Sequence, residues 1–187
     1  MGVKHLSTEE LHAGLDEVRR SPTDDGTVEL IVRRPSVDER EVLDEGELDC
    51  SVGLVGDTWP ERISSRIGDG PHPDCQITLM NARAARLVAA GDDERRALAG
   101  DQLFVDINLG YDNIPPGTLL EVGAAVVQVT EPLHTGCHKF AARFGQDVVR
   151  FVNSPAGREL NLRGVNAKVV VAGTVRPGDA VRKRPSA

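Results

Sequence analysis

Residues 131–145, EPLHTGCHKFAARFG, set Cys137 between His134 and His138, with Lys139 and Arg143 close behind. A thiol reacts as its thiolate, a form that neighbouring cations favour. The same thiolate is a soft donor for a transition metal. His134 or His138 can serve as an acid or base beside it, and the cations suit an anionic group. The bland alternative is a small buried hydrophobe, which many cysteines are. Pro132 and Gly136 weigh against that by putting Cys137 where a strand gives way to a loop. Residue types alone leave a metal ligand, a reactive thiol and plain packing all open.

A protein-only zinc site is not expected. Structural zinc takes four ligands at recognisable spacings, and the other close pair, His72 and Cys75 in HPDC, lies in a distant segment. Arg143, Arg158 and Arg163 flank the Cys137 region, and converging guanidiniums would make a cationic pocket with a soft nucleophile at its wall. Lys168, within VNAKVVVAG, is read as an outward-facing strand residue. Neither G-x-x-x-x-G-K-[ST] nor a strand-bound G-x-G-x-x-G occurs, so no nucleotide-binding motif is present, and there is no G-x-S-x-G elbow.

The elements that must hold these residues are mostly short strands. STEELHAGLDEVRRS reads as a helix capped by Ser7 or Thr8, with Leu11, Leu15 and Val18 on one face. GTVELIVRR is a β-branched strand, SVDEREVLDEGELD a charged loop with a helical turn, and residues 52–74 a Gly- and Pro-rich loop. CQITLM predicts a buried strand, followed by a helix capped at Asn81 and stopped at Gly91. GDQLFVDINL is a further strand, and Gly123 marks the turn between two more. GQDVVRFVNSPAGREL predicts a helix ending before Pro155, and two strands around Ala172-Gly173 close the chain. Strands and turns dominate the second half, which favours a mainly β fold, a barrel with peripheral helices, over a doubly wound sheet.

With 187 residues the chain fits one domain able to bury a core. Aromatics make up only 3%, so Val, Leu, Ile and Ala must fill that core. The net charge of -7 excludes a general nucleic-acid binder, and any anionic ligand needs a local cationic pocket. No apolar run approaches the roughly 20 residues of a membrane span, and the first residues show no signal-peptide core. Three cysteines without CxxC spacing read as reduced thiols, so a cytoplasmic location is expected.

Taken in order, the motifs resemble the MOSC domain, the module named for the C-terminal part of molybdenum cofactor sulfurase. Gly100, Leu103 and Val105 match its "G-x-N-L-x-V" strand, and Pro115, Gly117, Thr118, Leu120 and Gly123 match "P-x-G-T-x-L-x-[IV]-G". Thr130, Pro132 and Cys137 match "T-x-P-x-x-x-C", and Arg163, Gly164, Val165, Ala167 and Val169 match "R-G-[VI]-x-A-x-V". Gly173, Val175, Gly178 and Asp179 complete the series, while Gly53, Gly56 and Asp57 resemble an upstream "G-[IL]-x-G-D" loop. The likeness spans about residues 50–183, with residues 1–25 as a helical extension of a single domain.

The resemblance implies a MOSC-type β-barrel in which Cys137 carries persulfide sulfur or ligates the molybdenum of a pterin cofactor. It implies catalytic roles for His134 and His138 beside Cys137, and cofactor contacts from Arg143, Arg163, Lys139, Gly56 and Asp57. The activity implied is a small oxidoreductase acting on N-hydroxylated compounds; the alternatives are a sulfur carrier and a non-catalytic binding module for the cofactor or another metabolite. The partners implied are a small-molecule substrate or cofactor and a redox or sulfur-transfer protein, with no nucleic acid and no membrane. The family's link to pyridoxal phosphate belongs to the aminotransferase-like domain of full sulfurases, whose machinery is not recognisable in this sequence. Two departures stand out: Gln102 replaces the usual Asn, and Gly136 replaces the Pro that often precedes the cysteine.

Overall fold

In the computed structural model, which describes residues 5–64 and 67–185, the chain opens with two short helices, α1 (Thr8–Ala13) and α2 (Leu15–Arg19). The parts of the helical-extension and loop readings that fall on residues 1–4 and 65–66 lie outside the described residues. Ser7 caps α1 by accepting from the Glu10 amide, and Glu10 accepts from the Ser7 amide in return. The expected single helix is divided at Gly14, which the Leu87 side chain crowds; a Cβ there would lie 2.3 Å from Leu87 Cδ1.

The strands follow as β1 (Gly26–Arg33), β2 (Glu41–Leu43), β3 (Gly46–Asp49), β4 (Gly53–Leu54), β5 (Ile77–Asn81), β6 (Leu103–Asp106), β7 (Leu119–Val122), β8 (Ala125–Val129), β9 (Val165–Val171), β10 (Gly173–Val175) and β11 (Ala180–Lys183). Helices α3 (Ala82–Val88) and α4 (Asp93–Arg96) join β5 to β6, and α5 (His138–Phe144), α6 (Gln146–Val152) and α7 (Pro155–Glu159) lie between β8 and β9.

Seven strands run in the order β11-β7-β8-β9-β5-β6-β1, and pairing of Gly26 with Val181 returns β1 to β11 and closes a barrel. The neighbours are antiparallel except β5 and β6, which are parallel and connected through α3 and α4. Closure removes the sheet edges that would otherwise offer unpaired backbone to other chains. Strand β2 hangs from β1, while β10, β3 and β4 make a small second sheet.

Two apolar cores follow from period-2 alternation. Leu79, Leu103, Val105, Leu120, Val127, Ala167 and Val181 belong to the core within the barrel. Their neighbours Met80 and Phe104 belong to a second core with Leu11, Leu15, Val88, Phe140 and Phe151 from the helices. All four Phe residues sit in this second core, so a narrow barrel is filled by aliphatic side chains alone. On β1 the register shifts between Val28 and Leu30, which moves inward-facing parity from Val28 to Ile31.

Several local expectations are corrected. SVDEREVLDEGELD contains strands β2 and β3 instead of a helical turn, since cross-strand pairing with β1 and β10 outweighs its charge. The second half holds three helices, because the Cys137 loop turns directly into α5 and Pro155, which ends α6's run, also starts α7 at a position where its missing N–H is harmless. The chain closes with three strands, β9 to β11. Asn81 caps α3 as expected, accepting from the Ala84 amide at 2.9 Å.

Candidate functional site

Cys137 is the residue before α5, exposed, with extended backbone and no capping hydrogen bond from its side chain. The preceding Gly136 is held by Asn153 of the α6–α7 junction, which accepts from the Gly136 amide and donates to its carbonyl. Asn153 thus fixes the approach to the thiol with both ends of its amide.

Cys137 opens on a cavity of about 470 Å³ that also takes His134, Lys139, Arg143 and Arg163 from the predicted set. Arg34, Arg40 and Arg62 join them. Three guanidiniums are aimed by consecutive carbonyls of the turn before β6: Arg143 donates to Leu98, Arg163 to Ala99 and Arg34 to Gly100, at 2.9–3.0 Å. The turn is therefore a ruler against which chain segments 34, 143 and 163 are registered.

Charge pairing within the wall is uneven. Arg34 makes two hydrogen bonds of 2.7 Å to the buried Asp57 carboxylate, and Arg163 donates to Asp101 at 2.6 Å. The Arg163 guanidinium also lies over the Phe140 ring, 4.6 Å from its centre. Lys139 and Arg143 share Asp38. Among the described residues, neither Arg40 nor Arg62 forms an ion pair with a carboxylate, and Nε of Arg40 and of Arg163 is buried without a hydrogen-bond partner. Burial, then Arg143 and Arg34, pushes Arg40 below its ordinary value. Arg62 is more open to solvent, yet partial burial and Arg34 bring it down to about 10. A wall of this kind is short of negative charge.

His134 Nδ1 lies 3.3 Å from Asp101 Oδ1, but neither atom makes a well-directed hydrogen bond among the described residues. Burial, then Arg163 and Arg34, holds the imidazole well below its ordinary value. Burial pushes the Asp101 carboxyl up, against the pull of Arg163. The His134 side chain keeps 18% of its surface exposed while Nδ1 is buried, so the exposed part belongs to the rest of the ring.

The remaining predicted residues lie off the lining. His138 is exposed on the first turn of α5, and Gly56 packs against Arg33 instead. Asp57 stands behind the wall, through Arg34. Arg158 is exposed on α7 and Lys168 pairs with Asp74 on another face. Gln102, the departure from the family's Asn, is fully buried; it accepts from the Thr78 amide and hydroxyl and donates to the Gln76 carbonyl, so its side chain ties β6 to β5. Arg34, Arg40, Arg62 and Asp101 carried no spacing signal, because they meet only after three separate segments fold together.

Among the described residues no group of three or more His, Cys, Asp or Glu side chains could hold a metal ion, so His134, Cys137 and His138 do not make a protein-only metal site. No helix of the described residues is long and apolar enough to cross a membrane.

No curated protein matches the chain. Among solved structures it is similar to the YuaD protein of Bacillus subtilis, with a TM-score of 0.65 at 14% identity over 87% of this chain and 97% of that one. It is also similar to YiiM of Escherichia coli, with a TM-score of 0.56 at 18% identity over 86% of this chain and 71% of that one. At such identities the likeness is one of fold. A model of the MOSC domain matches residues 72–182, from the approach to β5 through β11, which is more than half of the sequence. The barrel and the ordered motifs agree with that match, and the chain belongs to the MOSC domain family.

Proposed function

We propose that the cationic cavity holds a phosphate-bearing molybdenum-pterin cofactor, that Cys137 supplies a thiolate to the metal, and that the chain reduces N-hydroxylated compounds. One observation carries this reading: an exposed thiol and two arginines that pair with no carboxylate among the described residues line the same cavity. The residues fit such a group. A thiolate is a soft donor suited to molybdenum, and guanidiniums bind phosphate with paired donors. Gly100 leaves room beside them; a Cβ there would stand 3.2 Å from Arg40 Nη2 and 3.7 Å from Arg143 Nη1.

When bound, the cofactor supplies two-electron redox chemistry. The chain's own residues do the rest. Arg40 and Arg62 would hold the phosphate, together with Arg143 and Lys139 on the same wall. Arg163, held by Asp101 and Phe140, keeps the wall rigid. Conversion of a hydroxylamine to an amine breaks the N–O bond, consumes two electrons and two protons, and releases water. The electrons come from a partner redox protein, and His134 is the group placed to pass a proton at Nε2, since Nδ1 faces Asp101. His138 has no place on the cavity wall and takes no part.

A second reading is sulfur transfer, favoured by the exposure of Cys137 and by Cys75 on the same cavity wall. Metal analysis and the fluorescence of extracted pterin separate the two. Purified protein is expected to carry both molybdenum and pterin, and Cys137→Ala to lose the metal. Protein that carries neither, yet accepts sulfane sulfur on Cys137, overturns the reductase reading. Retention of full activity by Cys137→Ala sinks both and leaves a binding module.

A further inference from the structure

A second chamber of about 370 Å³ abuts the cationic cavity, and the two have Arg62, Cys75, His134 and Asn166 in common on their walls. Its character differs. Trp59, Ile63, Pro71 and Leu133 give it apolar faces, and no Asp or Glu lines it among the described residues. Ile63 and Leu133, 77% and 64% exposed, stand at its open rim. The Trp59 turn is fixed from below, since Asp57 accepts from the Trp59 amide at 2.9 Å with the same carboxylate that holds Arg34. The walls of the two chambers are therefore built on one buried group.

These features sort ligands by charge. A cation meets Arg62 and finds no counter-charge. A strong anion is drawn to the neighbouring cavity, where the cations are concentrated. What remains for the second chamber is an uncharged molecule with apolar surface, and its volume is at the small end of the range for ligand pockets.

We propose that this second chamber is the substrate site, taking a compact uncharged ring compound whose apolar body packs on Trp59 and Leu133 while its polar end reaches His134 on the shared wall. The identification as substrate rests on the reductase reading above; occupancy of the chamber does not.

Trp59 is the chain's single tryptophan, so its emission reports this chamber directly. The test titrates the purified full chain with benzamidoxime, an uncharged N-hydroxylated aromatic, with benzamidine as the cationic counterpart and benzoate as the anionic one. The expected result is a saturable change in Trp59 emission with benzamidoxime, none with benzamidine over the same range, and no competition by inorganic phosphate. Leu133→Glu, at an exposed position that leaves the core intact, should weaken the benzamidoxime response on the order of tenfold. Flat emission, an equal response to all three probes, displacement by phosphate, or an unaltered Leu133→Glu titration would each overturn the inference. Protein that lacks molybdenum and pterin but shows the selective response defeats the reductase reading and leaves the chamber standing; loaded protein with flat emission does the reverse.

Discussion

Arg34 and Asp57 form a buried, two-pronged ion pair, Nε to Oδ2 and Nη2 to Oδ1, each at 2.7 Å, with the carboxylate fully shielded from solvent. The same carboxylate accepts from the Arg34 and Trp59 amides. Removing one partner of such a pair strands the other charge, which costs far more than the pair itself contributes. Asp57→Ala should therefore lose about 3–5 kcal/mol of stability, read from the urea midpoint at unchanged slope. A loss below about 1 kcal/mol would mean that Arg34 regains water when its partner is removed.

Gly164 follows Arg163 for a reason of space. Its φ is +101°, and a Cβ would stand 2.2 Å from the Leu79 carbonyl oxygen on β5. Gly178 has a similar φ of +92° with nothing within 4 Å. Gly178→Ala should cost only the backbone conformation, about 1–2 kcal/mol. Gly164→Ala adds a clash with paired backbone and should cost at least about 2 kcal/mol more. Equal midpoints for the two variants in chemical denaturation would contradict this.

Part of the fold was legible in the sequence. The apolar run VNAKVVVAG announced β9, the Gly123 turn announced β7 and β8, and Asn81 announced α3, because each feature is local to its chain segment. Cys137 was legible for the same reason, as an unusual neighbourhood of a thiol, imidazoles and cations. What stayed hidden was long-range. Asp38 meets Arg143 and Asp101 meets Arg163 across more than sixty intervening residues, and the carbonyls of Leu98, Ala99 and Gly100 carry no side-chain signature at all. The strands β2 and β3 were missed because their pairing partners, not their charged sequences, make them strands.

The His134–Asp101 contact predicts a pH signature. The imidazole titrates well below its ordinary value in the folded chain, so the unfolded chain binds the proton first. Stability from neutral His134 is thus fully present above the unfolded value near 6.5 and is lost progressively as pH falls from there through the lower folded value. Asp101 works in the opposite sense: its raised folded value lets the native state take up a proton first, which adds stability as pH falls toward 3.8. His134→Gln removes the first effect. Melting temperatures measured from pH 8 to pH 6 should show the variant gaining on the parent chain as pH falls, and a constant difference between them would refute the assignment.

Arg40 offers the sharpest test of an anion site, because stability and binding should move in opposite directions. Without an anion, Arg40 is partly buried, has no carboxylate partner and no partner for Nε among the described residues, and faces Arg143 and Arg34. Arg40→Gln relieves that repulsion and should raise the melting temperature of the anion-free chain, by a gain of about 0.5 kcal/mol. A bound anion reverses the ranking. Ligand that binds only the folded state stabilises by RT ln(1 + [L]/Kd), so inorganic phosphate at constant ionic strength should raise the melting temperature of the parent chain more than that of Arg40→Gln. The two curves should cross as phosphate increases. If Arg40→Gln is less stable at every phosphate concentration, Arg40 serves the fold; if phosphate stabilises both chains equally, the anion is held without it.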